Sequence, residues 1–285
     1  MTSAANAARR LGPQELDAFG AELDALHTRT MAQVGKVDAD YIRKVVRWVR
    51  YCGFGGRALL MVGAIGGAFV PWLLWPACIA GVLLLALSKI MENMEVGHNV
   101  IHGQYDFMGD PQFNSRTYEW DIVATADNWR HSHNFRHHTY TNVRGMDDDI
   151  GYGLLRIFPE QRWRPFYLMQ PFIAVVFALY FQWGVAIQEL KLGRWFAGKM
   201  PKGKMRRDFA PVGRKMGRQL LKDYLLFPAL AGPFFLPVLL GNLAANGIRN
   251  IWTYVIIFCG HFPNGAQVFT SEECADETRG EWYVR

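Results

Sequence analysis

The chain holds eight histidines in 285 residues, and four of them, His131, His133, His137 and His138, fall in one stretch, WRHSHNFRHHTYTN, residues 129–142. His98 and His102 repeat an i,i+4 interval upstream, His261 stands alone in an apolar run downstream, and His27 lies apart. Neutral imidazole is the commonest metal ligand among side chains. On an α-helix turning about 100° per residue, His133 and His137 lie roughly 40° apart on one face, and His131 and His138 roughly 20° apart on another. Two faces offering imidazoles predict two metal ions. The competing reading is a histidine-rich surface loop that picks up metal adventitiously. The second i,i+4 pair argues against it, because the two pairs with His138 exceed what a four-coordinate structural zinc requires.

Other polar groups stand near these histidines. A histidine ending an apolar helix is commonly a cap, and His261 is expected to be a ligand only if topology returns it to the face that holds the others. Glu95 lies three residues before His98 and is expected either to orient an imidazole from behind or to be a plain interfacial charge. Asp147, Asp148 and Asp149 form a carboxylate run whose consecutive members point in different directions, so a solvated loop or helix cap is expected there. The four cysteines, Cys52, Cys78, Cys259 and Cys274, form no CxxC pair, which favours histidine over thiolate as ligand and excludes a disulfide framework.

These residues must be positioned by helices. Half of the chain is hydrophobic (51%), 14% is aromatic, the net charge is +6 and the pI is about 9.2. The apolar residues gather in runs too long for amphipathic surface helices, which points to an integral membrane protein. The basic residues flank those runs, as the positive-inside rule expects of cytoplasmic segments, so membrane phosphate rather than nucleic acid is the expected anionic neighbour. Residues 1–40 form a polar N-terminal segment with a short helical pattern over Pro13–Ala25, expected to be flexible or peripheral. They show no signal-peptide core, so the first transmembrane helix is expected to direct targeting.

A membrane domain follows over residues 41–285. Residues 58–90, as one straight helix, would be about 50 Å long, beyond the roughly 30 Å hydrocarbon core. A hairpin turning at Pro71 and Pro76 is expected, its second helix running on to His98 and His102. Residues 91–165 form a histidine-rich cytoplasmic region, and residues 166–190 an interfacial or re-entrant helix. Residues 191–222 carry eleven Lys or Arg against the single acid Asp208 and so stay cytoplasmic. A second hairpin over residues 223–262 is expected to turn at Gly241–Gly247 and deliver His261 to the cytoplasmic side. The expected class is an all-α integral membrane protein with two transmembrane helical hairpins, a cytoplasmic histidine-rich helical cap and an interfacial helix. Its N-terminus and metal site are expected to face the cytoplasm.

GHNVIHGQYDFMGDP, residues 97–111, with HxxxH, and HNFRHHTYTN, residues 133–142, with HxxxHH, resemble the first two histidine boxes of the membrane-bound fatty acid desaturases. The DIGYG segment and the CGHFPNG around His261 resemble the bacterial acyl-CoA or acyl-lipid branch, which is similar to linoleoyl-CoA desaturases. The likeness runs from about Arg43 to the C-terminus. It implies that His98, His102, His133, His137, His138 and His261 bind a di-iron centre, with His131 outside the boxes as a neighbour. It implies an O2-dependent enzyme that places a double bond in a fatty acyl-CoA or acyl-lipid. Its electrons would come from a ferredoxin, a b-type cytochrome or a flavoprotein reductase. Zinc can replace the two iron ions in a preparation, given the Irving–Williams order. The family's third box, HxxHH, has no counterpart after His261, so the expectation is a C-terminally incomplete desaturase with impaired or absent activity. The alternatives are a hydroxylase or ketolase on the same scaffold, a membrane zinc hydrolase, which needs a carboxylate base beside fewer histidines, and a haem-binding or purely structural membrane protein.

Overall fold

The computed structural model describes residues 11–196, 198–199, 201 and 203–285. Among them the structure is helical, with one isolated parallel bridge between Val143 and Phe269 and no strand. The principal helices are α1 (Pro13–Met31), α2 (Lys36–Met61), α3 (Pro71–Ile101), α4 (Gln170–Leu179), α5 (Phe181–Glu189), α6 (Lys204–Gln219), α7 (Phe235–His261) and α8 (Arg279–Val284). The described residues fall into two compact units. The larger comprises residues 39–128 and 175–256, the smaller residues 11–38, 129–174 and 257–285.

In the larger unit, small residues let two helix backbones approach closely. A side chain at Gly56 would come within 2.7 Å of the Leu85 amide nitrogen, and one at Gly81 within 2.8 Å of the Leu60 nitrogen. Gly63 stands against Cys78 in the same way. This register makes α2 and α3 antiparallel, and Leu60, Leu85 and Ala86 form a core with Ala245 of α7. The chain reverses at residues 67–70, just before Pro71. Proline suits the start of a helix because its missing N–H has no intrahelical partner there, and this explains why the turn falls ahead of the expected Pro71–Pro76 segment.

The expected turn at Gly241–Gly247 is not observed. The reversal comes earlier, at Ala231–Phe234, where Gly232 adopts a positive φ of 56°, and α7 runs unbroken from Phe235 to His261. Pro233 and Pro237 sit ahead of α7 and in its first turn, where prolines are tolerated. Gly241 is there for packing, since a β-carbon would lie 2.5 Å from a Leu60 methyl. Among the described residues one helix, α3, is long and apolar enough to cross a membrane; residues 165–179 and 181–189 meet that test only jointly, as a pair bent by 101°.

In the smaller unit, α1 is longer than the expected Pro13–Ala25 and is docked on α8. Any side chain at Gly280 would overlap the Leu16 carbonyl. Asp24 pairs with Arg279 at 3.2 Å and accepts the Tyr283 hydroxyl at 2.7 Å. The peripheral helix is thus held by a close backbone contact and an ion pair.

Candidate metal centre

Residues Arg130–His137 form a π-helical stretch, and the His138 N–H donates to the His133 carbonyl five residues back. That wider turn changes which side chains share a face. An α-helical wheel sets His138 apart from His133, whereas the π-turn brings the two together, Nε2 to Nε2 at 3.3 Å. His137 stacks beside His133 with ring centroids 4.9 Å apart. His261 approaches from the end of α7, 4.7 Å from the His137 ring and 6.0 Å from the His133 ring. His131 is exposed and stacks on Phe135, outside the cluster. Box residues His133, His137, His138 and the distant His261 are therefore neighbours, and His131 is not.

The tautomers are set from behind. His133 Nδ1 meets Asp149 at 2.7 Å, and His137 Nδ1 meets Asp147 at 3.0 Å. His261 Nδ1 meets the Ile257 carbonyl at 2.9 Å. All three acceptors are oxygens, so each Nδ1 carries the proton and each Nε2 keeps a lone pair directed inward. This corrects the expectation of a solvated aspartate loop. Asp147 and Asp149 are buried, at 6% and 5% exposure, while Asp148 turns outward to Arg136 at 3.3 Å. Consecutive residues do point apart, but alternate ones converge. Backbone turns fix the arrangement: the Asn142 N–H donates to Asp147, the Asp149 N–H donates to Asp147, and Gly151 and Tyr152 follow with positive φ.

Electrostatics follow from this burial. Burial pulls the His137 imidazole down, but the hydrogen bond and charge of Asp147, with the charge of Asp149, carry it above its ordinary value. Burial and the neighbouring His137 and His261 push His138 down, which keeps it neutral as a ligand must be. Burial lifts the Asp149 carboxyl to about 6 against the lowering charge of His137. Burial would also lift Asp147, but its hydrogen bond with His137 holds it below the usual carboxylate range.

Ligand atoms of His133, His137, Asp149 and His261 all lie within 4.8 Å of one another. Two nitrogens bonded at about 2.0–2.1 Å to one tetrahedral ion stand about 3.4 Å apart, and the His133–His138 separation matches that. The donor set of imidazole nitrogens with a carboxylate oxygen suits a transition metal. A cavity of about 370 Å³ opens beside the cluster, lined by His137, Thr141, Asn142, His261, Gln267 and Phe269. Arg285 braces the segment after the second box, donating to the carbonyls of Thr139 and Thr141 at 3.0 and 2.8 Å.

In the larger unit, His98 and His102 face each other on the last turn of α3, ring centroids 4.6 Å apart. A π-helical stretch, Met91–Gly97, leads into them, and the His98 N–H donates to the Asn93 carbonyl. Glu95 accepts the Tyr41 hydroxyl at 2.5 Å, so it braces α3 against α2 and takes the second of the two roles the sequence left open, that of a charge away from the imidazoles.

The comparisons with known proteins give the same family as the resemblance. A family profile described as fatty acid desaturase matches residues 28–283, and the chain belongs to that family. It is 42% identical over 275 residues to a protein of Mycobacterium tuberculosis named NADPH-dependent stearoyl-CoA 9-desaturase; the match covers 95% of this chain and 62% of the relative. It is 27% identical over 230 residues to the sn-1 linoleoyl-lipid 6-desaturase of Synechocystis sp., covering 76% of this chain and 61% of the relative. The chain thus spans 62% and 61% of the length of these two relatives. No solved structure matches it.

Proposed function

We propose that the chain is an O2-dependent fatty acyl desaturase of the di-iron type, with His98, His102, His133, His137, His138 and His261 as the metal ligands. The observation that carries this reading is the oxygen partner at Nδ1 of His133, His137 and His261, which leaves Nε2 as the ligating atom of each ring. Such a second shell is the usual partner of a metal-binding imidazole. Bound iron supplies the oxidising power to remove hydrogen from an unactivated methylene, which no side-chain acid or base can do. The chain's own residues aim the imidazoles, and burial keeps His138 and His261 neutral.

The acyl substrate is a CoA thioester or a lipid ester, in keeping with the names of the two relatives. The Mycobacterium relative is NADPH-dependent by name. The electrons here are assigned to a reduced donor, whether a flavoprotein reductase, a ferredoxin or a b-type cytochrome. A multi-pass membrane location is supported by the apolar residues that the helices leave exposed, and the cytoplasmic side of the metal site by the basic run over residues 191–222. Phe69, Trp72 and Trp75 at the α2–α3 turn are each at least 70% exposed, a density that water does not favour. In this topology α2–α3 and the pair formed by residues 220–229 with α7 are the two hairpins, and the bent α4–α5 pair is the interfacial segment.

The test is to load the purified chain with ferrous iron and to follow acyl products by mass spectrometry with a reductant and O2. An acyl product lighter by two hydrogens supports the reading, at full or impaired turnover, and two irons held per chain would overturn the expectation that a third box is needed to complete the centre. A product carrying an added oxygen assigns a hydroxylase instead, and hydrolysis without O2 assigns a zinc hydrolase.

A further inference from the structure

The first histidine pair is reached through a helix whose turn is held open. In the larger unit, two π-helical stretches, Met91–Gly97 and Leu220–Leu226, are tied together by buried charge. Lys89, at the threshold of the first, pairs with Asp223, inside the second, at 2.7 Å, and the two side chains are 9% and 1% exposed. Asn246 of α7 donates to the same Asp223 carboxylate oxygen at 3.1 Å and to the Tyr224 hydroxyl at 3.0 Å, and Arg249 donates to Asn246 at 3.4 Å.

A second clamp lies one turn on. Glu92, within the first π stretch, accepts the Asp121 N–H at 3.1 Å. Asp121 in turn takes the Lys222 ammonium and, at 2.8 Å, the Gln219 amide.

A wide turn of this kind encloses one residue more than an α-turn. Everything beyond it therefore has the rotational phase of an α-helix one residue shorter. If Met91–Gly97 relaxed to α geometry, His98 and His102 would rotate by about 100°. Stability alone gives no reason for a buried ion pair here, because well-packed apolar replacements commonly leave stability unchanged or raise it. We propose that Lys89 and Asp223 are positioning residues. Backed by Glu92 and Asp121, they hold the π-turn open and set the phase at which α3 presents His98 and His102. What that phase serves rests on the metal reading above; the phase itself does not.

The test uses the full chain in detergent micelles, with Lys89→Met and Asp223→Leu combined. Without metal, amide hydrogen exchange over residues 91–102 is expected to quicken at least tenfold, with residues 36–61 unchanged. With cobalt(II) as the probe, affinity is expected to fall at least tenfold. Deleting Met94 in the doubly substituted chain should restore it to within threefold, because the shorter α-helix regains the original phase; loss of mere structural support would not be rescued by a deletion. Parent-like exchange and cobalt affinity in the double variant, or no rescue by the deletion, overturns the proposal. If the double variant fails to fold, Asp223→Asn, which keeps the volume, is read by the same exchange and the same deletion. A parent chain that takes up no cobalt removes the metal reading, and the phase is then read from thiol labelling of an added His102→Cys, whose rate should change in the double variant and return with the Met94 deletion; an unchanged rate overturns the proposal.

Discussion

Asp147 carries as much of the site as a histidine does. Its carboxylate holds the His137 Nδ1 proton at 3.0 Å from a position 6% exposed, so Asp147→Asn leaves the fold intact but frees the ring to turn. Loss of such a partner costs about 10- to 100-fold in metal affinity, and cobalt(II) competition titration is expected to find a loss of that size. Asp149 makes a second, opposite-signed prediction. Its folded-state value near 6 is above the 3.8 of a free carboxyl, so it favours the fold fully below that free value and withdraws the contribution as pH rises through about 6. The raised His137 acts with the same sign. The metal-free chain should therefore lose stability between about pH 4 and pH 6, by up to roughly 3 kcal/mol from Asp149, and Asp149→Asn should flatten that slope in thermal unfolding. Metal affinity runs the other way, rising with pH as the imidazoles shed protons.

At the scale of the element, glycine spacing decides which helices meet. Gly56 and Gly81 stand where the α2 and α3 backbones touch, so Gly56→Val forces the pair apart. Overpacking of this kind costs typically 1–3 kcal/mol, and a lowered unfolding temperature in detergent should report it. Gly280 does the same between α1 and α8. Gly280→Ala is expected to release α1, seen as faster proteolysis within residues 13–31 with the rest of the chain unchanged. The hydrophobic pattern made the helices legible, but not the turn before α7. Gly241 and Gly247 read as a reversal in sequence, and only the presence of Leu60 against Gly241 shows that the small residue serves a helix contact.

For the whole molecule, the proposed metal centre would couple metal binding to the fold. Ions that bind the native state alone stabilise it by about 2.7 kcal/mol at a hundredfold excess over their dissociation constant, so stripping metal with a chelator should lower the unfolding temperature, and added iron should restore it. His137→Ala is expected to abolish most of that shift, because the ring touches both His133 and His261. His131→Ala is expected to leave it unchanged, since that ring faces outward.

The family and the helical class were determined by the sequence alone, because they depend on residue identity and on spacing within single segments. The i,i+4 interval places His98 against His102 wherever the helix lies. Which histidines of the second box act together was decided only in three dimensions, since it depends on a π-turn whose backbone bonds no residue pattern announces. The aspartates behind His133 and His137 were likewise hidden. Their hydrogen bonds join residues 16 and 10 positions apart, and whether such groups meet is a matter of chain reversal and burial rather than of period.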